Sequence, residues 1–496
     1  MSKVKFGWSE VDITPKKGVK ISLAGQFFER ITDEVESPIS ITALCIKTDD
    51  DYAILCSCDL VGVKDTLYKA VCEKLKKETK INPDKVTISA IHTHTSYVYA
   101  GASKFAYGNL KSILEELMPE DMSYVPLVSG EDCMSPEEVT QFLIDKIFEA
   151  IVKAYDDAKD GYYKNGFGRA VVGMCRRVVY DDYTAKMWGE ATRADFMELE
   201  GGNDSGIELI YVFDENKKLS GVVANVACPS QVVEHRSFIS SDYWGKVKEN
   251  LRKVYGEDLK VLGLCSAAGD QCPRDMIRWV NPETPIDDPN IDRPHYIERR
   301  ADPSMFDVSG LKLVGKRISN EIISVLEELE NEPFMDTAEL INKPIDIDLP
   351  VRKVTVSEYE HALREIEYFI NKNRGRRVNF EDNAKLQVHS GVITRYRLQQ
   401  ENHIVTYRIN VLKFGDVAIC TNPFELFLDY GNRIRALSKA KQTIIIQLCN
   451  GTAGYLPTEK AERGGHYSAY VSSGTTGHEG GDMLVRKTLK EINEMF

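Results

Sequence analysis

Histidine is scarce in this sequence, and long apolar runs are missing from it. Only 9 of its 496 residues are histidine. No stretch of about 18 apolar residues occurs, so no segment reads as a membrane-spanning helix, and no amphipathic membrane-facing segment stands out. A basic excess is also absent. The net charge of −13 argues against a nucleic-acid partner, which would need a basic face to neutralise phosphates. The one dense basic run, "NKNRGRR" at 371–377, reads as a solvated loop. The opening "MSKVKFGWSEVDITP" has no apolar core of a signal peptide. Neither HExxH nor a paired CxxC is present, so there is no strong zinc signature. The 11 cysteines form no short-spaced framework and include an odd one out. Cys56, Cys58, Cys265 and Cys420 lie in apolar runs, where a reduced thiol behaves as a small hydrophobe. That usage leads us to expect a cytoplasmic protein. No internal repeat and no low-complexity segment is visible.

What is present is ordinary for a globular chain: 43% hydrophobic and 28% charged residues. Strand-like and helix-like segments alternate through the first 335 residues, which predicts an α/β class of layered mixed sheets flanked by helices. We expect one domain over 1–496, with a sub-division between 1–335 and 336–496 at the proline-containing stretch "NEPFMDTAELINKPIDIDLP". "DYAILCSCDLVGV" reads as a buried strand ending at Asp59, followed by a helix at "DTLYKAVCEKLKKET" and a strand at "DKVTISAIHTHT". A helix is predicted over 135–158, with Ser135 as N-cap, Pro136 in the first turn and Glu138 completing a capping box. Val139, Phe142, Leu143, Ile147 and Ile151 then repeat at helical spacing. Ser357 and Glu360 suggest a second capping box before "EYEHALREIEYFI". The glycine- and threonine-rich stretch 451–481 reads as long ordered loops, including "GTTGHEGGD" with His478 as a candidate lid.

Four apolar strands each end in a loop whose polar groups are costly to bury without partners. They supply His92 and His94, then Cys228, then Asp270 with Cys272, then Glu425. Active sites of α/β proteins collect at the carboxyl ends of strands. Side chains two apart on a strand share a face, so both imidazoles of "IHTHTS" could reach one site. Neutral imidazole is a common metal ligand and a common acid or base, and a pair satisfied by its own surroundings is the plain alternative.

Five short motifs in order add to this: "GWSEVDITPKKG", "SAIHTHTS", "CSAAGDQCPRD", "NPFELF" and "GTAGYLPTEKAERGGHY". Together they resemble the catalytic domain of the neutral/alkaline, non-lysosomal ceramidases, which are zinc-dependent amidases. The resemblance runs from about residue 8 to residue 470. It implies zinc as cofactor, with His92, Glu425 and Tyr455 as ligands and His94 beside the metal, facing substrate. Tyr467 matches a tyrosine that hydrogen-bonds the substrate carbonyl, and Arg176 with Arg177 falls near an arginine that lines the cleft. Asp270 is implied as a group that orients a ligand.

Two positions depart from the family pattern. Cys228 stands where the family has a zinc histidine, in Cys-Pro-Ser instead of His-Pro-Thr-Ser. A thiolate can replace that ligand, or Cys228 is an inert core thiol and His235 or a water fills the position. His235 itself reads as a surface residue at least as readily as a cleft one. Cys272 stands where the family has serine, either as a nucleophile or as a small wall residue shaped by Gly269 and Pro273. The resulting expectation is a zinc-dependent hydrolase of an amide or related acyl bond in a small polar substrate. His94 would act as proton shuttle and Tyr467 as oxyanion donor. The chain has no room after its last motif for the family's C-terminal β-sandwich, which makes ceramide a doubtful substrate. A lactonase, esterase or zinc-dependent lyase acting on a sugar-derived acid is the alternative, as is a non-catalytic zinc-binding protein. Whether the chain forms a homo-oligomer is left open.

Overall fold

The computed structural model describes residues 1–26, 29–102, 113, 116–124, 133–280, 300–301, 307–378 and 380–496. Three mixed sheets share one plan. In the first, strand β1 (Lys5–Asp12) pairs antiparallel with β2 (Ser40–Lys47), which pairs antiparallel with β3 (Tyr52–Cys58). Helix α1 (Asp65–Glu78) then carries the chain to β4 (Val86–Ala90), parallel to β3, and helix α2 (Pro136–Asp156) follows. The second unit repeats the plan with β5 (Tyr162–Arg169), β6 (Gly206–Phe213), β7 (Leu219–Val226), helix α3 (Tyr243–Tyr255), β8 (Lys260–Cys265) and helix α4 (Val308–Glu328). Its pairings are antiparallel, antiparallel, then parallel, as in the first.

The third unit begins at β9 (Leu340–Pro350). A helical pair, α5 (Val356–Lys372) and α6 (Phe380–Leu398), comes before β10 (Ile404–Phe414). It continues with β11 (Val417–Thr421), α7 (Leu428–Leu437), β12 (Gln442–Ile446) and α8 (His478–Met495), again with two antiparallel pairings and one parallel. The fold is therefore a threefold structural repeat, where the sequence shows none.

Alternation along the strands fixes how the units meet, because successive side chains face opposite sides of a sheet. Ala43 and Cys45 of β2 face α1 and α2, whereas Leu44 and Ile46 face the other way. The same split separates Leu209 and Tyr211 from Ile210 and Val212 in β6. In β10 it separates Ile409 and Val411 from Leu412 and Phe414. The outward residues meet each unit's own helices. The inward residues of all three sheets form one common apolar core. Polar bonds stitch the sheets together at that core: Ser57 Oγ donates to the Gly263 carbonyl at 2.6 Å, and Asn225 Nδ2 to the Ile445 carbonyl at 2.8 Å.

The predicted helix at 135 forms with its capping box intact, since the Ser135 hydroxyl accepts from the Glu138 amide and the Glu138 carboxylate accepts from the Ser135 amide. The second box sits two residues earlier than expected. Thr355 and Glu358, not Ser357 and Glu360, cap α5. The stretch 331–350, expected as irregular, holds β9, which pairs with β10 over eleven positions. The closing stretch also carries more regular structure than its composition suggested, because α8 starts at His478. All eleven cysteines are free thiols. Among the described residues no helix is long and apolar enough to cross a membrane.

Candidate active site

The threefold plan gathers the polar loops at one end of the molecule. His92 follows the fourth strand of unit one, and Asp270 follows that of unit two. Tyr455 follows that of unit three. Cys228, Gln231 and Glu234 follow the third strand of unit two, and Glu425 that of unit three. Each lies beyond the carboxyl end of a long strand of its unit, where side chains can converge.

His92 is held tightly. Its φ of 68° lies in the left-handed region, which costs an L-residue roughly 1–2 kcal/mol. The His92 amide donates to the Leu60 carbonyl at 3.0 Å, and its Nδ1–H to the Val61 carbonyl at 2.5 Å. That leaves the Nε2 lone pair facing Glu425, whose Oε2 is 3.4 Å away. Glu425 and Tyr455 are register partners in a short parallel pairing, and the Tyr455 hydroxyl hydrogen-bonds the Glu425 carboxylate. Burial pushes the Glu425 carboxyl up, but His92, Arg176 and Tyr455 outweigh it and hold it below the usual carboxylate range.

A protonated His92 would make an ion pair with Glu425, whereas a neutral one leaves two donor atoms free to share a cation. Donors about 2.0–2.1 Å from one tetrahedral ion are about 3.3–3.4 Å apart, so the spacing fits a metal. Among the described residues no group of three or more His, Cys, Asp or Glu side chains gathers to hold a metal. The set reaches three donors only through the Tyr455 hydroxyl. Three protein donors with an open position is the pattern of catalytic zinc sites, whereas closed structural sites have four.

Arg176 is buried beside this set. Its Nη2 donates to the Gly269 carbonyl at 3.0 Å and lies 3.4 Å from the Tyr455 hydroxyl, and its Nη1 lies 3.2 Å from Gln231 Oε1. Burial opposes its charge, but Tyr455, Cys272, Glu425 and Glu234 favour it more and raise its pKa. His94 Nε2 lies 3.4 Å from His92 Nε2 and 2.9 Å from Gln231 Nε2, and its Nδ1 lies 3.2 Å from Glu234 Oε2. Burial holds the His94 imidazole below the usual histidine range. The close approach of Gly25 explains why that position has no side chain: a Cβ there would lie 2.2 Å from His94 Cγ.

The remaining expected residues have other surroundings. The Cys228 thiol is buried in the core of unit two and donates to the Val172 and Pro229 carbonyls at 3.4 and 3.5 Å. Burial pushes it well above the usual thiol range. Cys272 donates to the Arg274 carbonyl at 3.3 Å, and burial pushes its thiol up to about 12. Asp270 Oδ1 accepts the Leu428 amide at 2.9 Å at the start of α7, with its carboxyl raised to about 6 by burial. It thereby ties the loop of Gly269 to the segment of Glu425. A Cβ on Gly269 would lie 2.3 Å from the Glu425 carbonyl oxygen.

Arg177 is fully buried against the Glu200 carboxylate and donates to the carbonyls of Tyr467 and Gly465 at 2.9 and 2.8 Å. Tyr467 sits between two left-handed residues, His466 and Ser468, and its ring stands edge-on to Tyr455 at 5.5 Å. His235, left open between surface and cleft, is buried. His478, the candidate lid residue, pairs with Glu462 at 2.9 Å.

The sequence reading missed Gln231, Glu234 and Arg30. Gln231 and Glu234 lie three and six residues past Cys228 in the same turn, a position that flags them only once the strand end is known. Arg30 is buried and donates to the carbonyls of Ala24, His94, Glu234 and Arg236.

No family profile matches the chain, and no curated protein matches it. Solved structures do. Neutral ceramidase from Pseudomonas aeruginosa superposes with a TM-score of 0.64 at 15% identity, covering 100% of this chain and 75% of that one. A ceramidase complexed with C2 superposes with a TM-score of 0.62 at 14% identity, again over 100% of this chain and 75% of that one. Over its whole length this chain therefore has the fold of a neutral ceramidase.

Proposed function

We propose that the protein is a metal-dependent hydrolase of an amide or related acyl bond, with zinc held by His92, Glu425 and Tyr455. The observation that carries this reading is the facing pair His92 Nε2 and Glu425 Oε2, 3.4 Å apart in a buried site with the Tyr455 hydroxyl beside them. The likeness in fold to ceramidases, which cleave amides, supports the bond type. A divalent metal bound there would polarise a scissile carbonyl and lower the pKa of a water. Arg176 holds the Tyr455 hydroxyl and places a fixed positive charge where negative charge builds on the carbonyl oxygen. Tyr467, edge-on to Tyr455, has a hydroxyl suited to donate to that oxyanion. The buried polar groups of Arg176 and Gln231, with the half-buried Glu234 beside them, favour a small polar substrate.

Cys228 is left out of the ligand set, because its thiol lies in the core of unit two and donates to the Val172 and Pro229 carbonyls. The test is metal content by mass spectrometry on purified protein, paired with release of amine from an amide library. We expect about one zinc per chain, lost in His92→Ala together with activity. Protein without bound divalent metal, or a fully active His92→Ala variant, would overturn the reading.

A further inference from the structure

A neutral imidazole donates from one nitrogen and accepts at the other, and its neighbours decide which. At His94 the decision starts from Arg176, whose guanidinium can only donate. Its Nη1 lies 3.2 Å from one end of the Gln231 amide, so that end is the oxygen. The other end is then the NH₂ group, 2.9 Å from His94 Nε2, which must accept. The ring proton is left on Nδ1, at ion-pair distance (3.2 Å) from the Glu234 carboxylate though not aligned as a hydrogen bond, and that carboxylate can only accept when ionised. Burial raises the Glu234 carboxyl, but His94 and Arg176 outweigh it and keep it below its ordinary range.

We propose that Gln231 and Glu234 are positioning residues that hold His94 as the Nδ1–H tautomer. The direction of the chain Arg176 → Gln231 → His94 → Glu234 follows from its first member, which has no acceptor. Both imidazoles of the pair then present Nε2 lone pairs 3.4 Å apart, since His92 also carries its proton on Nδ1. The resting His94 is an acceptor beside the metal donors. That is the state from which the expected proton shuttle would start, taking a proton on Nε2 before passing it on. The fold fixes both partners: Arg30 clamps the carbonyls of His94 and Glu234 with one guanidinium, and Gly25 packs closely against the ring.

The kinetic consequence rests on the proposed amide hydrolysis, but the tautomer does not. The test uses full-length protein labelled with ¹⁵N-histidine and long-range ¹H–¹⁵N correlations, with the His94 signals assigned by their loss in His94→Asn. Wild-type His94 should show a protonated Nδ1 and an unprotonated Nε2. Gln231→Glu replaces the amide donor by an acceptor, so the ring should acquire a proton on Nε2. In that variant kcat on an amide substrate should fall by about tenfold or more while KM changes by less than about threefold. Protonation of Nε2 in the wild type, or an unchanged ring in a folded Gln231→Glu, would overturn the proposal. If Gln231→Glu does not fold, the wild-type spectrum alone decides. The expected tautomer in a protein that releases no amine would count against the proposed function and leave this assignment standing.

Discussion

Cys272 shows how burial decides chemistry at a single residue. The resemblance leaves it as nucleophile or wall residue, and both readings need only a small polar side chain. In the structure its thiol donates to the Arg274 carbonyl, and burial pushes it up to about 12 against the opposing pull of Arg176. A thiol in that range is almost wholly protonated at neutral pH, and only the thiolate attacks carbonyls. Cys272→Ser should therefore keep kcat/KM within about threefold, because serine fills the same space and can make the same donor bond. Steady-state kinetics on the variant check this, and a loss of about a hundredfold or more would restore the nucleophile. The sequence made His92, Glu425 and Tyr455 legible because each sits in a short motif beyond a strand end, whereas Arg176 was reached only through the looser resemblance. Gln231 and Glu234 were hidden, since in "SQVVEHRS" they look like ordinary solvated residues until the turn buries the first and half-buries the second.

At the scale of elements, the segment 465–475, irregular apart from one 3-10 turn at Val471–Ser473, carries Tyr467 and is held by three arginines. Arg177 donates to the Gly465 and Tyr467 carbonyls, Arg352 to the Ala469 carbonyl, and Arg395 to those of Val471 and Thr475. A loop has no ladder of its own, so side-chain donors must satisfy its buried carbonyls. Arg177 has a second task, because it neutralises Glu200 inside the protein. Arg177→Met leaves that carboxylate buried without its partner, which costs about 3–5 kcal/mol. We expect a clear drop in the urea midpoint and a fall in activity as Tyr467 loses its anchor. Adding Glu200→Gln should recover part of the stability but not the activity. An unchanged midpoint in the single variant would show that the pair does not hold the segment.

Helix boundaries were legible where a cap was unambiguous, as at Ser135. They slipped where two S/T-x-x-E boxes overlap. The earlier box at Thr355 prevails, and its start at Val356 lengthens α5 by half a turn. The start of α8 was hidden by its own glycines. Gly480 and Gly481 lie inside the helix because a Cβ there would meet Thr476 and Tyr430 at 2.0 and 2.3 Å, so residues that suggest a loop mark close packing instead.

Across the whole molecule the repeat is a property of hydrogen-bond topology and strand alternation, not of residue identity. Insertions of different size hide its period. One lies between Asp12 and Ser40, another between Arg169 and Gly206, and the helical pair lies between Pro350 and Ile404. The three units depend on one shared core, so their stability is expected to be measured as one cooperative transition, and a single buried carboxyl can be read in it. Asp242 caps α3, accepting the Tyr243 amide at 2.8 Å and the Val233 amide at 3.0 Å. Burial raises its carboxyl to about 7, although those amides pull it down.

The folded state therefore keeps a proton that the unfolded chain, near its ordinary carboxyl range, releases sooner. The stability from that raised pKa is fully present below about pH 4 and is lost as pH rises towards 7, by up to ~1.4 kcal/mol per pH unit. Glu10, Glu234 and Glu425 are shifted the other way and work against this trend in the wild type, so the total curve hides it. The difference between variants does not. Asp242→Asn has no proton to lose, so its stability relative to wild type should rise steadily between pH 4 and pH 7 and level off above. Urea midpoints taken at each pH measure this directly. A difference that stays flat across the window would mean that Asp242 ionises in the folded protein as readily as in the unfolded chain.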